Sequence, residues 1–239
     1  MKRLVWSIFA ILFSTWAHAH VPPTGSAYAK DLFAKLDELL QQRRIEGKLP
    51  NLEDPTDRDL LHKIWDGGAL IGSPPYDEGD LVALSFVMDR SRSLLALYSQ
   101  NSSLPLQDEA TQTFALLIRA AAASQIAFND FLAHQPNAAE MLRPNGAKAR
   151  GGIEKMFRGA SIFLADPALK EGNKIVLVES LRADGPYLAQ SISPDHRQAL
   201  IDLFVPLVGQ LPMPAQESLK IFMQEINAAG CDLWCADGM

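Results

Sequence analysis

Apolar residues return at spacings of three and four along nearly the whole chain, the rhythm of helices with one buried face, and this restricts the possible folds more than any other feature. The rhythm runs longest between residues 105 and 134. There Ala120, Ala121, Ala122 and Ala123 are followed by Ile126, Phe128, Phe131 and Leu132 without a breaker. A helix that long and that apolar is predicted to be central. Over residues 26–45, Ala29, Leu32, Phe33, Leu36, Leu39 and Leu40 mark one stripe, ended by Gly47 and Pro50. Thr56-Asp57-Arg58-Asp59 supplies a cap and first-turn acids for a short helix through Leu60, Leu61, Ile64 and Trp65. After a turn-rich loop over 72–79, Asp80 opens a third helix with Leu81, Leu84, Val87, Met88, Leu94, Leu95 and Tyr98 on its buried side.

Further along, a short helix is predicted over 138–142 and a longer one over 152–165, with Met156, Phe157, Ile162, Phe163 and Leu164. Residues 174–181 are ambiguous. Ile175-Val176-Leu177-Val178 would suit a buried strand, but no second run of that kind exists to pair with it, so a helix is expected. Ser193-Pro194-Asp195 caps a helix to Val208 that Pro206 should bend, and Pro214 opens the last helix, which stops at Gly230. No internal repeat or long linker divides the chain. The expected fold is all-α, a single domain of eight or nine helices over residues 20–239.

The first 19 residues read differently. Lys2 and Arg3 precede an apolar run from Leu4 to Trp16, and Ala17-His18-Ala19 puts small residues where a signal peptide is cut. Cleavage after Ala19 leaves His20 as the first residue; cleavage after Ala17 is the alternative. The run is too short to span a bilayer, which takes about 20 residues. The mature chain is therefore expected to be periplasmic or secreted, with no integral membrane segment. It would carry 20 basic and 28 acidic residues, a net charge of −8, which opposes nucleic-acid binding.

Few residues suggest chemistry. Cys231 and Cys235 are the only cysteines, four apart and beyond the last helix, and in an exported chain a local disulfide holding Trp234 against the body is the expected pairing. His20, with a free α-amine, is the candidate copper ligand, and His18 would join it if cleavage fell after Ala17. Otherwise no cofactor is expected. His62, His134 and His196 fall on separate helices without metal-ligand spacing. Asp77-Glu78-Gly79-Asp80 lacks the alternate-position ligands of a calcium loop and is read as a helix cap. No nucleotide-binding glycine loop or nucleophile elbow occurs.

One charge feature stands apart. Arg143, Lys148, Arg150, Lys155 and Arg158 meet a single acid, Glu154, giving a local balance of +4. With Gly146, Gly151 and Gly152 beside a helix beginning near residue 152, this segment is the candidate site for an anion or partner. The leading reading is an exported, non-enzymatic helical binding protein that occupies a partner's surface, as an inhibitor, immunity protein or envelope assembly factor does. The partner would be another protein or an anionic envelope component. Two alternatives are an envelope-polymer hydrolase built from dispersed histidines and acids, such as Glu140 with Glu154 or Glu179 with Asp184, and a small-ligand or copper carrier. Intact mass of the exported protein tests the start and the cysteines together: a chain beginning at His20, about 2 Da below its reduced mass, is expected.

Overall fold

In the computed structural model of the chain, residues 24–100, 106–135 and 145–236 are described, and these form ten α-helices and no strand. The helices are α1 (Thr24–Ile45), α2 (Pro55–Trp65), α3 (Gly68–Ile71), α4 (Glu78–Gln100) and α5 (Gln107–His134), then α6 (Gly146–Ala165), α7 (Glu171–Ala189), α8 (Pro194–Phe204), α9 (Met213–Ala228) and α10 (Leu233–Ala236). A 3-10 turn, Val205–Gln210, joins α8 to α9. The helix predicted over 138–142 lies outside the described residues, as do the signal segment, His18, His20, Glu140 and Arg143.

The long central helix is α5, and its sequence carries two apolar stripes rather than one. Phe114, Leu117, Ile118, Ala121 and Ala122 face a core built with α6, α7, α8 and α9. Leu116, Ala120, Ala123 and Ala127 face a second core built with α1, α2, α3 and α4. Each stripe repeats at three and four residues, and the two lie on opposite sides of the helix. Met88, Leu95 and Phe163 pack against both cores and join them into one body. Burial on two sides is what the run of alanines permits, because small side chains let neighbouring helices approach closely.

Local polar contacts set the helix ends. Asp54, not Thr56, caps α2, its side chain accepting from Thr56 N at 2.9 Å with Pro55 in the first turn. Arg43 then ties α1 to that cap through Asp54 and the fully buried Asp57, to which Nη2 donates at 2.7 Å. Asp77 and Asp80 cap α4 reciprocally, each backbone N donating to the other's carboxylate at 2.9 Å. That is the capping role expected of the acidic cluster.

Several boundaries moved. The helix expected from residue 152 begins at Gly146, so Gly151 and Gly152 lie inside α6 and not in a loop. Residues 174–181 are helical within α7, where Leu177, Val178 and Leu181 are fully buried between α5 and α9. Tertiary burial there overrides the β preference of the branched residues. Pro186 is accommodated in the last turn of α7. Pro206 does not bend a continuous helix: α8 stops at Phe204 and the chain tightens into the 3-10 turn.

Gly185 shows how closely α7 and α9 pack. A Cβ there would lie 2.4 Å from Phe222 Cε2 and 3.5 Å from Phe157 Cε1, both rings being fully buried. At Gly151 in α6 a Cβ would meet nothing within 4 Å. Gly185→Ala should therefore destabilise the fold by about 1 to 3 kcal/mol through overpacking. Gly151→Ala should stabilise it by about 0.5 to 1 kcal/mol through helix propensity. Urea midpoints at constant m-value read both.

Candidate binding cleft

The site begins with the way the C-terminal segment is fastened. Arg197 stands in the first turn of α8, an unfavourable end of a helix for a cation, yet only 2% of it is exposed. Its guanidinium is spent on backbone carbonyls. Nε donates to Ala189 O at 2.9 Å and to Ile192 O at 2.7 Å, Nη1 to Ala229 O, and Nη2 to Gly230 O at 2.7 Å. The carbonyl ends of α7 and α9 thus converge on one cation, which satisfies groups a helix terminus leaves open. Burial pulls the guanidinium below its ordinary pKa, partly offset by the Asp232 carboxylate nearby.

Asp232 makes the complementary contacts. Its Oδ2 accepts from Gln125 Nε2 at 2.7 Å and from Ser191 Oγ at 2.5 Å, and its Oδ1 accepts from Trp234 N at 2.8 Å and Cys235 N at 3.1 Å. The residue therefore caps α10 and ties it to α5 and to the turn that follows α7. Cys231 and Cys235 are joined as the expected disulfide, with an S–S distance of 2.08 Å and Cα atoms 5.2 Å apart. Trp234, fixed this way, stacks on Phe128 of α5 with ring centroids 4.3 Å apart. The predicted fastening of Trp234 to the body is what is seen.

Trp234 closes one end of a cleft of 240 Å³ that opens between α4, α5 and α6. Its apolar surface comes from Leu81 and Met88 of α4, Phe128 of α5, Ile153 and Met156 of α6, and Leu188 of α7. Arg92 and Lys148 are its charged lining residues, and no carboxylate lines it among the described residues. The cleft exists because the facing positions are small. Ala121 and Ser124 form the α5 floor and Gly152 the α6 wall, where a Cβ would meet nothing within 4 Å.

The basic segment is divided by the helix it lies on. Of the described members, Lys148 lines the cleft, whereas Arg150 turns to the other side and donates through Nη1 to Trp234 O. Lys155 and Arg158 are exposed, and neither lines the cleft. A helix turning 100° per residue places positions 148 and 155 on one face and 150 nearly opposite, so the local excess of charge does not form a single patch. Gly146 serves packing: a Cβ there would lie 2.8 Å from Trp234 Cδ1.

The other chemical candidates are scattered. His134 Nδ1 lies 2.7 Å from Asp130 O, His62 lies beside Trp65, and the exposed His196 lies 3.2 Å from the half-buried Glu154, neither of which lines the cleft. Glu179 and Asp184 are not brought together as an acid pair. Glu179 accepts from Ser218 Oγ at 2.5 Å, which with Arg182 holds its carboxyl below the usual range, whereas burial pushes Asp184 up. No group of three or more His, Cys, Asp or Glu suited to a metal ion occurs among the described residues, and no described helix is long and apolar enough to cross a membrane.

Spacing alone did not single out Arg197 and Asp232, although each left a signal: a cation in a helix first turn, and an aspartate placed to cap the turn before Trp234. Arg197→Met should destabilise the protein by about 2 to 4 kcal/mol, since it removes the guanidinium donor from four carbonyls, two of them in buried contacts. Arg197→Lys should recover only part of that, because one ammonium cannot reproduce the planar fork. Urea unfolding of the disulfide-intact protein at neutral pH measures both. In comparisons with known protein families, curated proteins and solved structures, nothing matches this chain.

Proposed function

We propose that this chain is an exported, non-catalytic helical binding protein and that the cleft between α4, α5 and α6 is its binding surface. The cleft itself carries the reading. It is an apolar hollow of 240 Å³ in the wall of a helical body, with polar groups placed only at a few points, the usual character of a ligand site. The walls are lined by Met88 and Met156, whose unbranched side chains adapt to what they hold. Two further observations support the setting: an A-x-A site after a short apolar run, and a disulfide of the kind that persists outside the cytoplasm.

The carrier reading draws on the same cleft, and we merge it with the first: occupancy of this hollow, by a small molecule or by a partner's apolar group, is the activity. The hydrolase reading gains less support, since His62, His134 and His196 do not line the cleft.

The test is titration with N-phenyl-1-naphthylamine, a neutral apolar dye that brightens when it leaves water. Saturable binding of one dye per chain is expected, with a Kd on the order of 10 μM. Gly152→Leu should abolish it by filling the hollow, while Gly151→Leu, one residue away and outside the lining, should leave it unchanged. Absence of a saturable signal, or equal loss in both variants, would overturn the assignment.

A further inference from the structure

The two sulfurs of the disulfide have unequal surroundings and share one cation. Cys231 is exposed, whereas Cys235 is 1% exposed. Arg197 Nη2 lies 3.6 Å from Cys231 Sγ and 3.8 Å from Cys235 Sγ, so a single guanidinium touches both ends of the S–S bond. Burial works against the charge of that guanidinium, and the carbonyls it binds are neutral. Asp232, the carboxylate that acts on it, accepts instead from Gln125, Ser191 and the backbone N–H groups of Trp234 and Cys235. Arg197 is therefore a buried cation with no anion in contact among the described residues, and a thiolate at either sulfur would supply one. A disulfide that serves only as a staple has neutral sulfurs and needs no cation beside them.

The surroundings also hold the sulfurs in place when the bond is open. α10 keeps its cap from Asp232, the stack of Trp234 on Phe128 and the bond from Arg150 to Trp234 O, none of which uses the disulfide. The Cα atoms of Cys231 and Cys235, 5.2 Å apart, thus stay within the span of a disulfide. The two roles then differ. Cys235 Sγ lies 3.4 Å from Ile192 O, an acceptor for a thiol proton, in a buried site that opposes a lasting thiolate. Cys231 has Arg197 on one side and water on the other, so it is the sulfur that an external thiol reaches and the one that keeps the charge.

We infer that Cys231–Cys235 is a redox-active disulfide whose substrates are thiols, which it oxidises to disulfides. A thiolate RS⁻ attacks Cys231 Sγ and forms a new S–S bond there, while Cys235 Sγ leaves with the electron pair beside Arg197 and takes up a proton. A second thiolate attacks the RS sulfur of this mixed disulfide, releasing RS–SR and leaving Cys231 as a thiolate beside the same guanidinium. Two thiols thereby lose two electrons, which the protein's disulfide gains, and their protons pass to Cys235 and to solvent. A cation that stabilises the thiolate product makes the disulfide a stronger oxidant. The inference does not depend on what the cleft holds.

Reduced glutathione added to the full native protein at neutral pH, with an acid quench and intact mass, tests the reaction. A gain of about 2 Da, with one oxidised glutathione formed per chain, is expected, because structural disulfides resist reduction by glutathione. In Cys235→Ser, the Cys231 thiol should titrate at least about one unit below the free value of about 8.5, read by thiolate absorbance. It should return to that value in urea, where Arg197 no longer stands beside it. In Cys231→Ser, the buried Cys235 should react with iodoacetamide at least about tenfold more slowly than Cys231 does in the other variant. A two-cysteine peptide separates the sources of thiol: faster oxidation of the peptide than of glutathione assigns protein thiols as substrates, and slower oxidation assigns small thiols. A disulfide left intact by glutathione, a Cys231 thiol titrating at or above about 8.5, or equal reactivity of the two cysteines would overturn the inference.

Discussion

Helices α1 to α4 and α6 to α9 are placed by the absence of a polar face on α5. A helix with one apolar stripe can rest on the surface of a core, whereas one with two opposed stripes must be covered from both sides. Helices α1 to α4 close one side and α6 to α9 the other, so the chain before α5 and the chain after it each fold onto the same rod. The polar groups that remain on α5 are used where water is absent: Thr113 Oγ1 accepts from Trp65 Nε1 at 3.1 Å, and Gln125 holds Asp232. Each removes a buried donor or acceptor that would otherwise count against the fold.

The C-terminal segment is fastened by different means, because α10 is only four residues long and cannot hold itself by helical packing. Arg197 binds the carbonyls of residues 229 and 230, Asp232 binds α5 and the turn after α7, the disulfide closes the turn, and Arg150 holds the Trp234 carbonyl. These contacts converge on the position of one ring. Trp234 is thereby a rigid wall, and a cleft bounded by rigid elements loses less entropy when it is filled.

The helical class, the centrality of α5 and the buried stripe of α1 were legible because periodicity is a local property that burial then amplifies. The helical state of 174–181 was legible only by elimination, since Ile175 to Val178 satisfy a strand as well as a helix and the decision rests on what α5 and α9 place around them. The basic segment misled for a related reason. Charge counted along a sequence ignores the turn per residue, and α6 sends Lys148 and Arg150 to different neighbours. The cleft was not legible at all. Its lining is drawn from five helices, and the absence of side chains at Gly152 and Ala121 matters as much as the residues present.

That absence also explains why the hollow persists. Filling it would take larger residues at positions 121, 124 or 152, and helix propensity at residue 152 favours nearly any substitution over glycine. A Cβ at Gly152 meets no neighbour within 4 Å, so packing places no demand for glycine there. Its φ is not in the left-handed region either, so backbone conformation places none. Gly151 is equally free of both demands, so residue 152 is set apart only by its place in the wall, where a side chain would occupy the hollow and at residue 151 would not.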